Sequence, residues 1–286
     1  MQLGFVGVGL MGGPLARNLI RAGEKVLVYD LSKEAVERTL AVGSTGVAAS
    51  SLNDLAGCDI ILTSLPLPQH VKGVVSGEKG LYRLLSKGTT HIELSTIDPG
   101  TANEMRAEAE KYGIGYIQCT LGKTPAHAEK AEEPMFIGGD KAIFEQHEAL
   151  FKKIGIPNFV GSIDAACAVK LISNMIGMTN LVVLAEGFKV GDAAGLDQKV
   201  LLELLTDTGA RSFQMDVRGP WIAAGDFNPR FGLDLALKDV RLGLEMARAW
   251  DLNLKAMEAA LVRYKEASEA GLGKEDCNAV YKIVSK

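Results

Sequence analysis

Short apolar runs alternate with amphipathic stretches over the first half of the chain. Leu3-Gly4-Phe5-Val6, Lys25–Tyr29, Asp59–Thr63 and Thr90–Leu94 read as strands, and Tyr116–Cys119 and Met135–Gly138 as two more. Between them, Gly12–Ala22 and Lys33–Val42 carry helical spacing, and Gly23 stands where a C-cap glycine belongs. Such alternation predicts βαβ units and a parallel sheet. Beyond about residue 160 the strand signal all but disappears. Ala165–Ala193 reads as one long helix broken at Gly191 or Gly195, and the remainder is Leu- and Ala-rich with a helical period interrupted at Pro220 and Asn228-Pro229. The pattern predicts a doubly wound α/β domain with a mostly parallel sheet over residues 1–162. A long helix joins it to an all-α domain over 163–286.

The first strand runs into Gly7-Val8-Gly9-Leu10-Met11-Gly12, a G-x-G-x-x-G turn that opens a helix. Gly7 permits the tight turn, Gly9 lets the backbone approach a pyrophosphate, and Gly12 lets helix pack on strand. The free N–H groups of the helix N-terminus then face the phosphates. Asp30 ends the second strand, 18 residues past Gly12. A carboxylate there accepts hydrogen bonds from a ribose and repels a 2′-phosphate, which favours NAD, while Lys33 nearby leaves NADP open.

Composition narrows the field. The 286 residues are 47% hydrophobic and 23% charged, which excludes a disordered chain. The net charge of -4 sets up no field for nucleic acid or an anionic membrane. Cys58, Cys119, Cys167 and Cys277 form no CxxC pair, and the histidines show no metal-ligand spacing, so no metal site is expected. Reduced thiols, and a first apolar run that breaks on glycines without a basic flank, point to a cytoplasmic protein. The longest uncharged apolar stretch, Leu171–Ala185, is shorter than the roughly 20 residues of a membrane span and reads as a buried helix.

With these motifs in place the chain resembles the β-hydroxyacid dehydrogenases, whose members include 3-hydroxyisobutyrate dehydrogenase. The glycine turn with Ala16, Asn18-Leu19 and Gly23 matches their cofactor signature, and Leu65-Pro66 and Ser95-Thr96-Ile97 match two cofactor-side loops. Lys170 with Asn174 matches the catalytic pair, and Phe231 and Lys238-Asp239 match a late segment that closes over the cofactor. The resemblance implies a Rossmann domain plus a helical domain, an NAD(P)-dependent enzyme acting on CH–OH groups, and a homodimer or homotetramer. It implies cofactor contacts from Leu10, Met11, Leu65, Pro66, Thr96, Phe231 and Lys238, and a substrate contact from Ser95. Ser173 and the segment Asp164–Cys167 depart from the family's pattern, which bears on substrate positioning. A non-enzymatic reader with this fold is disfavoured because Lys170 is present, and a decarboxylating 6-phosphogluconate-type enzyme because the helical domain is short.

Lys170 and Asn174 are four apart on an apolar helix and so share a face. An apolar setting disfavours the charged form of a lysine, which suits a general acid or base near neutral pH. The substrate segment departs from the family's D-A-P-V-S-G-G and reads Gln118-Cys119-Thr120-Leu121-Gly122-Lys123-Thr124. Gly122 is expected to offer an N–H, Lys123 a charge and Thr124 a hydroxyl. Thr124 is expected as N-cap and Pro125 at N1 of a helix running to about Glu132, with Glu129, Glu132 and Glu133 on its solvated face. This loop is similar to that of the sulfolactaldehyde reductases, which implies a small substrate bearing a sulfonate or phosphonate. The competing reading leaves Lys123 in solvent and implies a carboxylate semialdehyde. Arg211 is expected to pair with a carboxylate, and Trp221 and Trp250 to pack.

Overall fold

The computed structural model describes residues 1–284. They fall into two compact units that divide between Lys170 and Leu171. The first contains β1 (Gln2–Val6), α1 (Gly12–Arg21), β2 (Lys25–Tyr29), α2 (Lys33–Leu40), β3 (Gly46–Ala48), β4 (Ile60–Thr63), α3 (Pro68–Val75), β5 (Thr90–Glu93), α4 (Pro99–Lys111), β6 (Gly115–Leu121), α5 (Pro125–Glu129), β7 (Pro134–Gly139), α6 (Lys141–Ile154) and β8 (Ile156–Gly161). Helix α7 (Ile163–Ala193) begins there and continues into the second unit, which adds α8 (Gln198–Thr206), α9 (Phe213–Ala223), α10 (Leu233–Ala249) and α11 (Lys255–Ala267).

The strands make one eight-stranded sheet in the order β3-β2-β1-β4-β5-β6-β7-β8. Only β6 and β7 pair antiparallel; the other neighbours are parallel. β4 and β5 are buried along their whole length, as expected of central strands covered on both faces. The order reverses between β1 and β4, and in such sheets ligands lie in the crevice beyond the carboxyl ends at that switch point.

Local chemistry explains most element ends. Gly23 stops α1 at φ +80°, its N–H bonding Ile20 O at 2.9 Å while Glu24 N–H bonds Leu19 O at 3.0 Å, a Schellman arrangement. Ser32 caps α2 by accepting from Ala35 N–H at 3.2 Å. Two strands carry too little pattern to be read from sequence. β3 has three residues, and β8 holds Pro157 and Asn158, which an edge strand tolerates.

The compact units divide within α7 and not at its start, where the sequence pattern drew the border. The first turns of α7 belong to the sheet: Thr120 Oγ1 donates to Ala166 O at 2.8 Å, and a Cβ on Gly138 would lie 2.0 Å from Ser162 O. The helix is also not wholly buried. Its length and composition are those of a membrane span, half of its apolar window is buried, and Ile172, Ile176, Val183 and Val190 are exposed.

In the helical unit, Arg218 Nε meets Asp276 Oδ1 at 3.0 Å, with both side chains almost fully buried. Asp276 also accepts the N–H groups of Phe231 (2.9 Å) and Asn278 (3.2 Å). Breaking a buried pair leaves an uncompensated charge. Asp276→Ala is therefore expected to lower unfolding free energy by about 3–5 kcal/mol in a urea titration. A midpoint equal to wild type would refute a structural role for the pair.

Candidate active site

Gly7 adopts φ +86°, and a Cβ there would lie 2.3 Å from Ser64 O, in the loop after β4. A Cβ on Gly12 would lie 2.0 Å from Gly7 O. These two glycines are required by the protein's own packing. Gly9 is different: no protein atom lies within 4 Å of where its Cβ would be. Glycine is dispensable there for folding, but the open space suits a ligand approaching the backbone. Met11 occupies the N-cap of α1 without a side-chain cap, and Leu10 is 64% exposed. The first N–H groups of α1 thus lack a side-chain cap and suit an anion.

Asp30 stands at the end of β2, next to this turn. Its Oδ2 accepts Val8 N–H at 2.7 Å and its Oδ1 accepts Ser32 N–H at 2.8 Å. The carboxylate is thereby fixed where a ribose hydroxyl would meet it. Leu65 and Pro66 follow β4, and Ser95 and Thr96 follow β5, at the same edge of the sheet. The residues present fit a bound dinucleotide. Ser95, expected to contact substrate, is 3% exposed, and its Oγ accepts Leu65 N–H at 2.8 Å. In this structure it ties two loops together.

The segment after β6 differs from expectation in four respects. Gly122 N–H is not free; it donates to Pro134 O at 2.9 Å, extending the β6–β7 pairing. Helix α5 ends at Glu129, a single turn, and Thr124 gives it no side-chain cap, because its hydroxyl bonds His127 Nδ1 at 2.8 Å. Glu129 is held by Arg17 and Arg21, which keep its carboxyl down at about 2. Glu133 is fully buried, not solvated. Its Oε1 accepts Lys123 N–H, its Oε2 has no hydrogen-bond partner among the described residues, and Lys170 and Lys123 attract it. Burial pushes its carboxyl above the usual range. The Pro134 carbonyl thus takes the backbone donor expected for the substrate, the Glu133 carboxylate takes the next one, and Lys170 stands in the field of a charge and not in purely apolar surroundings. The signal lay in three adjacent positions, Glu132-Glu133-Pro134, where a proline opening a strand ends the helical period. Lys123 itself is exposed.

Lys170 and Asn174 lie on consecutive turns of α7, as their spacing predicts. In the helical unit, Asn174 Nδ2 donates to Asp239 Oδ2 at 2.6 Å, which sets the orientation of the amide. Lys238 is 7% exposed and pairs with Asp239 Oδ1 at 2.9 Å. The backbone of Phe231 is held by Asp276, a positioning contact that sequence reading missed. Arg211 pairs with Asp216 at 3.2 Å, and Trp221 lies 4.0 Å beneath Arg230.

Gly9→Ala separates ligand space from packing. Its melting temperature is expected to stay within about 2 °C of wild type while NADH affinity falls at least about tenfold, since only the ligand approaches this backbone. Fluorescence titration beside a thermal melt decides it; unchanged affinity would remove Gly9 from the site.

Two family models tile the chain. One, described as the NAD binding domain of 6-phosphogluconate dehydrogenase, matches residues 2–168. The other, described as NAD-binding of NADP-dependent 3-hydroxyisobutyrate dehydrogenase, matches residues 165–284. A 2-(hydroxymethyl)glutarate dehydrogenase of Eubacterium barkeri is 30% identical over 99% of this chain and 94% of its own. An NAD-dependent L-serine dehydrogenase of Pseudomonas aeruginosa is 30% identical over 99% and 97%. Among solved structures, a 3-hydroxyisobutyrate dehydrogenase of Salmonella typhimurium superposes with a TM-score of 0.91 at 26% identity, covering 99% of each chain. With a glycine turn built for a dinucleotide and a lysine–asparagine pair on the long helix, the chain belongs to the NAD(P)-dependent β-hydroxyacid dehydrogenases of the 3-hydroxyisobutyrate dehydrogenase type.

Proposed function

We propose that this protein interconverts the carbonyl and alcohol forms of a small acid, with Lys170 as general acid and base. The placement of Lys170 one helical turn before Asn174 carries this reading. The nicotinamide, when bound, supplies or accepts the hydride. In reduction the Lys170 ammonium gives a proton to the carbonyl oxygen; in oxidation the amine takes the hydroxyl proton. Asn174, its amide held by Asp239, orients the substrate oxygen. Phe231 and Lys238 contact the cofactor, and the fixed carboxylate of Asp30 favours NAD by repelling a 2′-phosphate.

The acid group is a sulfonate, as in 3-sulfolactaldehyde, or a phosphonate, as in 2-oxopropylphosphonate, met by Lys123. The exposed ammonium beside Thr124 supports this, since a tetrahedral oxyanion gains most from a charged donor. A carboxylate semialdehyde (3-hydroxyisobutyrate, tartronate or succinic semialdehyde type) is the second reading. It is favoured by the engagement of Gly122 and Lys123 N–H groups, which leaves too few donors for three anionic oxygens. The named relatives act on 2-(hydroxymethyl)glutarate and L-serine, which are carboxylic acids.

Between Leu171 and Gly191 the exposed residues of α7 are Ile172, Ser173, Ile176, Asn180, Val183, Gly187 and Val190; none is charged, and from Ser173 onward they recur at spacings of three and four. An apolar stripe of this period supports a homodimer or homotetramer, consistent with a cytoplasmic enzyme.

Lys170→Ala is expected to cut turnover by about 10²–10⁴-fold with NADH affinity unchanged, as loss of a general acid requires. Near-normal turnover would remove Lys170 from the chemistry. Steady-state rates on 3-sulfolactaldehyde, 2-oxopropylphosphonate, tartronate semialdehyde and succinic semialdehyde decide the acid group: Lys123→Ala should raise KM at least about tenfold for a sulfonate or phosphonate and little for a carboxylate. Asp30→Ser should shift the NADPH-to-NADH ratio of kcat/KM upward by about tenfold or more; an unmoved ratio would clear Asp30 of cofactor choice.

A further inference from the structure

A buried hydrogen-bond chain runs beneath the loops after β4 and β5, and the hydride-transfer scheme does not use it. Tyr82, His91, Thr63 and Glu93 are each at most 1% exposed. Tyr82 Oη lies 2.6 Å from His91 Nδ1, and His91 Nε2 lies 2.7 Å from Thr63 Oγ1. Thr63 Oγ1 donates to Glu93 Oε2 at 2.7 Å, and Ser95 N–H donates to Glu93 Oε1 at 2.8 Å. The Ser95 hydroxyl also bonds Glu93, and Ser95 Oγ accepts Leu65 N–H at 2.8 Å. Ser64, next to Leu65, is the residue against which Gly7 packs. The chain therefore reaches from a buried tyrosine to the cofactor turn.

Proton counting sets its direction. Thr63 has one hydroxyl proton, and gives it to Glu93. Its oxygen must then accept from His91 Nε2–H, which leaves Nδ1 bare to accept from Tyr82. This polarity holds while Glu93 is a carboxylate. If Glu93 binds a proton on Oε2, the polarity can reverse: Glu93 donates to Thr63, Thr63 to His91 Nε2, and His91 Nδ1–H to Tyr82 Oη, whose own proton then turns away from His91. One proton is taken up and no charge moves elsewhere. The Ser95 side then loses its hold on a full negative charge, and charge-assisted bonds are roughly twice as strong as neutral ones.

We propose that Glu93 is a positioning residue for the cofactor: as a carboxylate it fixes Ser95, and through Ser95 the Leu65 amide, so that both loops keep the shape that faces the glycine turn. Protonation of Glu93 reverses the chain and loosens both loops. The titratable groups facing Glu93 are His91 on its own strand, Tyr82 in the 3-10 turn Leu81–Arg83, Tyr116 on β6 and Cys167 on α7. Burial keeps all four neutral near neutral pH, His91 by pulling it down to about 3. Glu93 is pushed up to about 7 by its burial, against the bonds from Ser95 and Thr63. The effect of pH then falls on Glu93 alone within this group.

This inference rests on the glycine turn being the cofactor site. It is tested on the full chain by NADH fluorescence titration between pH 6 and 8.5. Wild type is expected to lose about fivefold in affinity toward pH 6, through a midpoint near the value for Glu93, as linkage requires. Glu93→Gln imitates the protonated acid: its amide oxygen takes Ser95 N–H and its NH₂ donates to Thr63. It should bind with the weak wild-type affinity at every pH. The His91 tautomer, read by nitrogen NMR, should be Nε2–H in wild type at pH 8.5 and Nδ1–H in Glu93→Gln. Should that variant not fold, Ser95→Ala leaves Glu93 charged and cuts the tether, and the same weak, flat curve is expected. A variant curve matching wild type in affinity and midpoint, or an unchanged tautomer, overturns the role of Glu93. Absence of NADH binding by wild type at any pH overturns the cofactor reading instead.

Discussion

The contact between the glycine turn and the loop after β4 governs the α/β unit. A side chain at Gly7 would meet Ser64 O of that loop at 2.3 Å, and one at Gly12 would meet the Ser64 Cβ at 2.9 Å as well as Gly7 O within the turn at 2.0 Å. This approach brings the ends of β1 and β4 together where the strand order reverses. The open face above Gly9, the carboxylate of Asp30 and the loops carrying Leu65 and Ser95 then surround one crevice edge. Elsewhere the sheet, parallel except at β6–β7, packs around an apolar core of Leu3, Phe5, Leu15, Ile60 and Ile92.

The polar residues beneath this edge belong to the same design. Thr63, His91, Glu93, Ser95 and Gln118 are buried without loss because each finds partners on a neighbouring strand. Such a network demands complete satisfaction in a low dielectric, and it rigidifies what it joins. Here it joins the two loops most directly opposed to the cofactor turn. Glu133 is a counterexample of the same physics. It is buried with one oxygen unpartnered, held by a backbone N–H and the charges of two lysines. It takes the Lys123 N–H, as the Pro134 carbonyl takes that of Gly122. The acid group is thereby left to side chains and not to the main chain of this loop.

Much of this molecule was legible along the chain. The glycine turn, the strands from β1 to β7 except β3, the long helix and the spacing of Lys170 and Asn174 depend on residues within one or two turns of one another. Periodicity and the need for positive φ act at that range, so composition and spacing suffice. Weak or irregular elements escaped. β3 is three residues long, and β8 contains a proline and an asparagine that only an edge position tolerates.

Tertiary structure decided the remainder, because the outcomes hang on partners far apart in sequence. Gly122 lost its free N–H to Pro134 and Glu133 its solvent to the sheet, since β7 folds back antiparallel on β6. Phe231 is held by Asp276, 45 residues later, and Ser95 by Leu65, 30 residues earlier. No local pattern encodes such pairs. A buried polar group must take whichever partner the fold delivers, and the fold delivers it only after loop closure has brought distant strands into register.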